Sequence, residues 1–161
     1  MNISPLQKAR YEYAPKLPGM LRHGIADICV KEGEATQSVA DQDKIKALFP
    51  NTYGKNEITF QQGQNTSVAK KQVVGVILSG GQAPGGHNVV CGLYDALKAT
   101  NSENVLYGFK GGPSGLIEDK YLIFDDEYIN EFRNTGRFDI IGSGRTKLET
   151  EEQFEVAAEV C

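Results

Sequence analysis

Three shortages bound what this chain can be. Its three cysteines, Cys29, Cys91 and Cys161, lie far apart and form no C-x-x-C pair. The sequence therefore predicts neither a zinc site nor a disulfide framework, and it fits a reducing, intracellular compartment. Positive charge is not in excess: 17 Lys and Arg stand against 21 Asp and Glu, a formal net charge of −4. That balance argues against nonspecific nucleic-acid binding, which needs basic patches against phosphates. No apolar run approaches the ~20 residues of a membrane helix. The first stretch, MNISPLQKARYEYAPKLPGML, lacks the continuous apolar core of a signal peptide. Nucleic acid and membrane are thus not expected partners, and the expected location is cytoplasmic. What remains is 161 residues, 40% hydrophobic and 24% charged, enough for one globular domain with a real core.

The chain changes character near residue 70. Pro5, Pro15, Pro18 and Gly19 break its first stretch. DQDKIKALF, residues 41–49, predicts a short helix with acidic residues in its first turn and Pro50 as its stop. Residues 51–70 read as polar and turn-rich. Residues 1–70 are accordingly expected to form an extension, and 71–161 the first part of an α/β lobe. From Lys71 the pattern is regular. Val73–Leu78 predicts a strand buried on both faces. Residues 85–98 place Val89, Val90, Leu93, Tyr94 and Leu97 at helical spacing. Val105–Phe109, Tyr121–Phe124 and Phe138–Ile141 are further strand candidates, and Asp125–Arg133 a short helix. Strands alternating with helices predict a βαβ arrangement and a parallel sheet with helices on both faces. Thr150 and Gln153 fit a capping box, and Phe154, Ala157, Ala158 and Cys161 follow at i, i+3, i+4 and i+7. This last helix meets no stop signal, which predicts that the chain is a piece of a longer polypeptide.

The chemistry concentrates in one elbow, GVILSGGQAPGGHNVVCG, from Gly75 to Gly92. Gly80, Gly81, Gly85 and Gly86 crowd the junction between predicted strand and predicted helix. A helix N-terminus offers free backbone N–H groups and the positive end of the helix dipole, and glycine lets a ligand approach them. An anion, most often phosphate, suits such a place. Two common phosphate motifs fail. A P-loop needs Lys and Ser/Thr where His87 and Asn88 stand, and G-x-G-x-x-G is absent. Two more loops, KGGPSG at 110–115 and GSGR at 142–145, also follow predicted strands, where open parallel sheets gather ligands. Arg145 brings a planar fork suited to phosphate oxygens; Lys110 and Lys147 are weaker candidates. His87 at the helix start suggests a polar contact or cap rather than acid–base work. His23 has no identifiable partner, Ser79 lacks the G-x-S-x-G context of hydrolases, and Asp125, Asp126 and Glu127 read as an acidic first turn rather than a metal cluster. Asp139 beside a strand is expected to be half buried.

VGVILSGGQAPGGHNV, LYGFKGGPSGL and FDIIGSGRTKLET, with EEQFEVAAE after them, resemble the long-type pyrophosphate-dependent phosphofructokinases, the diphosphate–fructose-6-phosphate 1-phosphotransferases. The resemblance runs strongly over 73–158 and faintly over 5–60. It implies a phosphofructokinase-like α/β fold and transfer of phosphate from pyrophosphate to fructose 6-phosphate with Mg²⁺. It implies diphosphate contacts for Gly80, Gly81 and Arg145. Gln82, where ATP-dependent relatives carry Asp, fits the pyrophosphate branch and stands with Lys110 and Lys147 as a candidate of the surrounding shell. The family's catalytic aspartate, metal-binding segment and sugar-phosphate residues have no counterpart in this chain. No catalytic or metal-binding residue is therefore assigned here, the Mg²⁺ ligands are expected elsewhere, and the 161 residues alone are expected to be inactive. A homo-oligomer, or the rest of the same subunit, is the expected protein partner. Two other readings stay open at this point: a regulatory subunit of the same superfamily, and an unrelated phosphate-binding module.

Overall fold

The computed structural model describes residues 3–24, 27–63 and 70–161. The chain divides into two compact units: Lys16–Val68, and Met1–Pro15 together with Ala69–Cys161.

In the first of these, strand β1 (Ile28–Ala35) pairs antiparallel with β2 (Asn56–Gln62), from Ile28 opposite Gln62 to Ala35 opposite Asn56 with one irregularity after Glu32. Between them lies helix α2 (Gln42–Leu48). The Phe49 amide closes its last turn on the Ile45 carbonyl at 2.8 Å, and Pro50 cannot continue it. Neither strand is foreseen by the sequence reading, which takes 51–70 as turn-rich; residues 64–69 of that stretch lie outside the described residues. The apolar alternation is thin, and Val30, Ile58 and Phe60 remain 57%, 57% and 64% exposed.

The other unit opens with helix α1 (Pro5–Glu12), capped by Ser4 accepting the Gln7 amide at 3.2 Å. Its sheet has the order β3 (Val73–Val76), β4 (Val105–Phe109), β5 (Tyr121–Ile123). β3 and β4 run parallel, with Val73 opposite Val105, while β5 is antiparallel to β4. Helix α3 (Gly86–Thr100) bridges the parallel pair. Helices α4 (Pro113–Ile117) and α5 (Asp126–Phe132) follow β4 and β5, and α6 (Glu151–Val160) comes last. Val90, Cys91, Tyr94 and Leu97 of α3 pack with Leu106, Ile129, Phe132, Ile140 and Ile141. On the opposite face α4 and α6 bring Leu116 and Ala157 onto Phe109. The expected α/β class, with helices on both faces, is what the structure shows.

Several particulars differ. β3 is not buried on both faces: Val74 and Val76 pack on the core, but Val73 is 66% exposed, because β3 is an edge strand with a sparsely covered outer face. The sheet is only partly parallel, since β5 reverses. Phe138–Ile141 is a turn rather than a strand. Ile140 and Ile141 are buried, but their carbonyls take the Tyr128 hydroxyl at 2.7 Å and the Gly111 amide at 2.8 Å instead of a ladder. On α3 the buried stripe is His87, Val90, Cys91, Tyr94 and Leu97, which turns Val89 to solvent. The capping box of Thr150 and Gln153 forms, yet α6 turns Ala157 inward and leaves Phe154 55% exposed, one step of phase from the expected stripe.

Polar side chains lock this unit. Asn104, 1% exposed, accepts the Gln72 amide at 2.7 Å and donates to the Leu97 carbonyl at 2.8 Å, joining the entry of β3 to the end of α3. Arg133 grips Asp95 with two bonds of 2.7 and 2.9 Å across α5 and α3. Asp125 caps α5 by accepting the Tyr128 amide at 2.8 Å, and Asp126 accepts the Tyr94 hydroxyl at 3.0 Å. Burial, then Asp126, pushes the Tyr94 pKa up to about 12. Asp139 is exposed rather than half buried: the 138–141 turn throws it outward, where its hydrogen bond to Arg137 holds its carboxyl below the usual range.

Candidate functional site: a three-loop anion cradle

Three loops meet where β3 and β4 end. The first, after β3, carries Ser79–Gly86; the second, after β4, carries Lys110–Gly112; the third is Gly142–Arg145. Main-chain bonds weld them. The Gly80 amide donates to the Gly144 carbonyl at 2.7 Å, the Gly144 amide to the Leu78 carbonyl at 3.3 Å, and the Gly111 amide to the Ile141 carbonyl at 2.8 Å. Ser79 and Gly144 form a parallel bridge. Two glycines are indispensable to this weld. Gly80 has φ +103°, a conformation that costs a side chain dearly. Gly144 lies against the second loop so closely that a Cβ there would overlap the Gly111 carbonyl oxygen.

The sequence candidates Gly80, Gly81 and Arg145 are brought together. A Cβ on Gly81 would meet only Arg145 Nη2, at 3.1 Å, so the guanidinium lies directly over the Gly81 α-carbon. Arg145 is exposed and makes no hydrogen bond or ion pair with any described residue. Behind the elbow is a cavity of about 260 Å³ whose wall includes Gly81, Gln82, Gly86, His87, Phe138 and Ser143. It is smaller than the ~300–1,000 Å³ of pockets for drug-sized ligands, which suits a small anion better than a whole nucleotide. Gly80 and Arg145 are not part of that wall. Gln82 is exposed and lines it. The exposed Lys110 side chain has no partner among the described residues, and Lys147 faces Glu149 at 3.8 Å; neither lysine reaches the cavity wall.

α3 begins at this cavity. Its N-cap is Gly85, with φ +91° and no side-chain cap, so the first-turn amides have no side-chain acceptor. His87 is 5% exposed; its Nε2 accepts the Gly136 amide at 3.1 Å, and burial lowers its pKa below the ordinary imidazole value. The sequence reading missed His87, Phe138 and Ser143 as cavity wall. The i, i+3, i+4 relation of His87 to Val90 and Cys91 is the one signal that would have turned His87 inward. The His23 side chain lies outside what the structure describes. Among the described residues, no three of His, Cys, Asp and Glu gather where they could hold a metal ion, and no helix is long and apolar enough to cross a membrane. Amides and a guanidinium are the groups that suit an oxyanion, and among the described residues no Asp or Glu lines the cavity.

No protein-family model matches the chain. Curated relatives do. It is 51% identical over 160 residues to the pyrophosphate–fructose 6-phosphate 1-phosphotransferase of Porphyromonas gingivalis, covering 99% of this chain and 29% of that protein. It matches a part of these phosphotransferases. The protein of that name from Treponema pallidum is 42% identical, again over 99% of this chain and 29% of the relative. That from Entamoeba histolytica is 45% identical over 98% of this chain and 29% of the relative. The chain thus spans under a third of the length of the phosphotransferases it matches. The match reaches across both compact units, which sets aside the reading as an unrelated phosphate-binding module.

Proposed function

We propose that this chain supplies part of the phosphoryl-donor pocket of an enzyme that transfers phosphate from pyrophosphate to the 1-hydroxyl of fructose 6-phosphate, giving fructose 1,6-bisphosphate. The observation that carries the proposal is the junction of the Gly80–Gly81 turn with Gly144 and Arg145 beside the uncapped start of α3. In this reading Gly80 and Gly81 approach pyrophosphate through backbone, and Arg145 binds it with two charge-assisted hydrogen bonds. Gln82 lies at the rim, with Lys110 and Lys147 further out. Residues 1–70 serve as an extension and 71–161 as the first part of the donor lobe. Mg²⁺ would assist the transfer, its ligands expected outside this chain; among the described residues no three of His, Cys, Asp and Glu gather to hold it. A cytoplasmic, allosterically controlled glycolytic enzyme belongs to the same reading.

Arg145→Ala in the full-length protein tests it by steady-state kinetics, each substrate varied in turn. A charge-assisted hydrogen bond contributes about 1.5–3 kcal/mol, and ~1.4 kcal/mol is a factor of ten. Half-saturating pyrophosphate should therefore rise about tenfold or more, with fructose 6-phosphate little changed. Arg145→Lys should recover only part, since lysine keeps the charge and loses the fork. An unchanged pyrophosphate dependence, or equal damage to both substrates, would remove Arg145 from the donor side.

A further inference from the structure

His87, a residue of the cavity wall, carries one buried ring nitrogen without a partner among the described residues. His87 lies in the first turn of α3 and is 5% exposed. Its Nε2 accepts the Gly136 amide at 3.1 Å. Burial keeps the ring neutral near pH 7, so it carries one proton, and the nitrogen that accepts a hydrogen bond cannot be the one that holds it. The proton is therefore on Nδ1. Nδ1 is buried and has no hydrogen-bond partner among the described residues. An unmet buried donor is costly and is rarely left so. The ring lines the same cavity as Gly81, Gln82 and Ser143, against a helix start with no side-chain cap.

We infer that His87 Nδ1–H is a ligand donor, binding a phosphoryl oxygen held at the start of α3, and that the Gly136 amide selects the tautomer that makes it one. The inference rests on the donor-pocket reading and deepens it. The oxyanion would meet a neutral donor of the cavity wall as well as the exposed guanidinium of Arg145 outside it. The Asn134–Gly136 loop gains a task by the same step. It is tied to α3 by the Asn134 amide donating to Asn88 Oδ1 at 2.9 Å and Asn88 Nδ2 to Asn134 Oδ1 at 3.0 Å, so the amide that orients His87 is itself held in register with the helix.

Two substitutions separate a ligand donor from a loop anchor. Asn places an amide N–H near the position of Nδ1, whereas Gln places a carbonyl oxygen near that of Nε2. In the full-length protein, His87→Gln should raise half-saturating pyrophosphate about tenfold or more, and His87→Asn should recover most of that loss. Fructose 6-phosphate half-saturation should stay put in both. The opposite order, with His87→Gln harmless and His87→Asn damaging, would make His87 a loop anchor and overturn the inference. So would parallel loss for both substrates together with a lowered melting temperature. Calorimetry with pyrophosphate separates the two levels of failure. If the unsubstituted protein binds no pyrophosphate, the donor-pocket reading falls and takes this inference with it; if it binds and both variants bind equally well, only the role of His87 falls. Should neither variant fold, nitrogen NMR of the histidine rings in the unsubstituted protein decides. A His87 Nδ1 resonance that moves on adding pyrophosphate supports the donor role, and one that stays fixed refutes it.

Discussion

Gly144→Ala is the sharpest perturbation of the cradle, because one methyl group must displace backbone. A Cβ at Gly144 would overlap the Gly111 carbonyl oxygen and stand 3.1 Å from the Gly111 carbonyl carbon. From the other side, a Cβ on Gly112 would stand 2.9 Å from the Gly144 α-carbon. No rotamer relieves such a contact; the two loops have to part. Parting them strains the 2.7 Å bond from Gly80 to Gly144 and the 3.3 Å bond from Gly144 to Leu78. Each such bond contributes about 0.5–1.5 kcal/mol net, and overpacking a filled site costs about 1–3 kcal/mol. Because relief of the overlap is bought by losing the bonds, the effects overlap in part, and the expected penalty is about 2–4 kcal/mol.

The penalty has a direction as well as a size. Arg145 is the next residue, so the guanidinium moves with the loop, and pyrophosphate half-saturation should rise more than tenfold while thermal stability falls. Gly81→Ala is the matched control. Its methyl meets only the far end of the Arg145 side chain, which can swing away. The melting temperature should hold, and only the pyrophosphate dependence should weaken. Thermal melts and donor-varied kinetics on the two variants of the full-length protein make the measurement. A Gly144→Ala protein with unchanged melting temperature and unchanged pyrophosphate dependence would refute the close contact between the second and third loops.

Further outcomes follow from the same contacts. Asn104→Leu keeps the volume but removes the acceptor of the Gln72 amide, while the Leu97 carbonyl keeps the Asn101 amide at 3.0 Å; at about 1–3 kcal/mol for an unmet buried group, it should cost roughly 1–3 kcal/mol in denaturant unfolding, and a loss under about 0.5 kcal/mol would show that the amide finds another partner. The segment 1–161 expressed alone should self-associate, since Val73, Tyr121 and Phe154 are 66%, 41% and 55% exposed and such apolar surface favours pairing; sedimentation showing a monomer across concentrations would count against it.

Much of the second compact unit was legible because its periodicities are strong. The helical spacing over 85–98, the capping box at Thr150 and the acidic first turn after Asp125 each correspond to an observed helix. What failed did so for identifiable reasons. Phe138–Ile141 has the composition of a strand, but composition does not say who satisfies the backbone; here Tyr128 and Gly111 do. The stripe on α6 was misphased because Phe154, Ala157, Ala158 and Cys161 are as good a helical set as the one the fold buries, and only Phe109 and Leu116 across the interface choose between them. β1 and β2 escaped notice because their apolar residues stay exposed, leaving little alternation to read. In the cradle, the glycine count pointed to the elbow, but the pairing of Gly80 with Gly144, 64 positions apart, is a tertiary fact with no local signal.

Unsatisfied polar groups mark the site more sharply than charge does. Four cations lie between Arg133 and Lys147. Arg133 is held by Asp95, Arg137 by Asp139, and Lys147 faces Glu149. Arg145 alone among these four has no carboxylate partner among the described residues. The start of α3 lacks a side-chain cap, as do those of α2 and α4, whereas α1, α5 and α6 are capped by Ser4, Asp125 and Thr150. His87 Nδ1 is one of two buried side-chain polar atoms without a partner among the described residues. Three independent shortfalls of hydrogen bonding, in a guanidinium, a helix start and an imidazole, fall around one cavity and its rim. All three groups are donors, and of them the His87 nitrogen alone is buried from solvent. Donors gathered there suit a ligand rich in acceptor oxygens, and the guanidinium favours a negatively charged one, which is the chemistry that the donor-pocket proposal calls for.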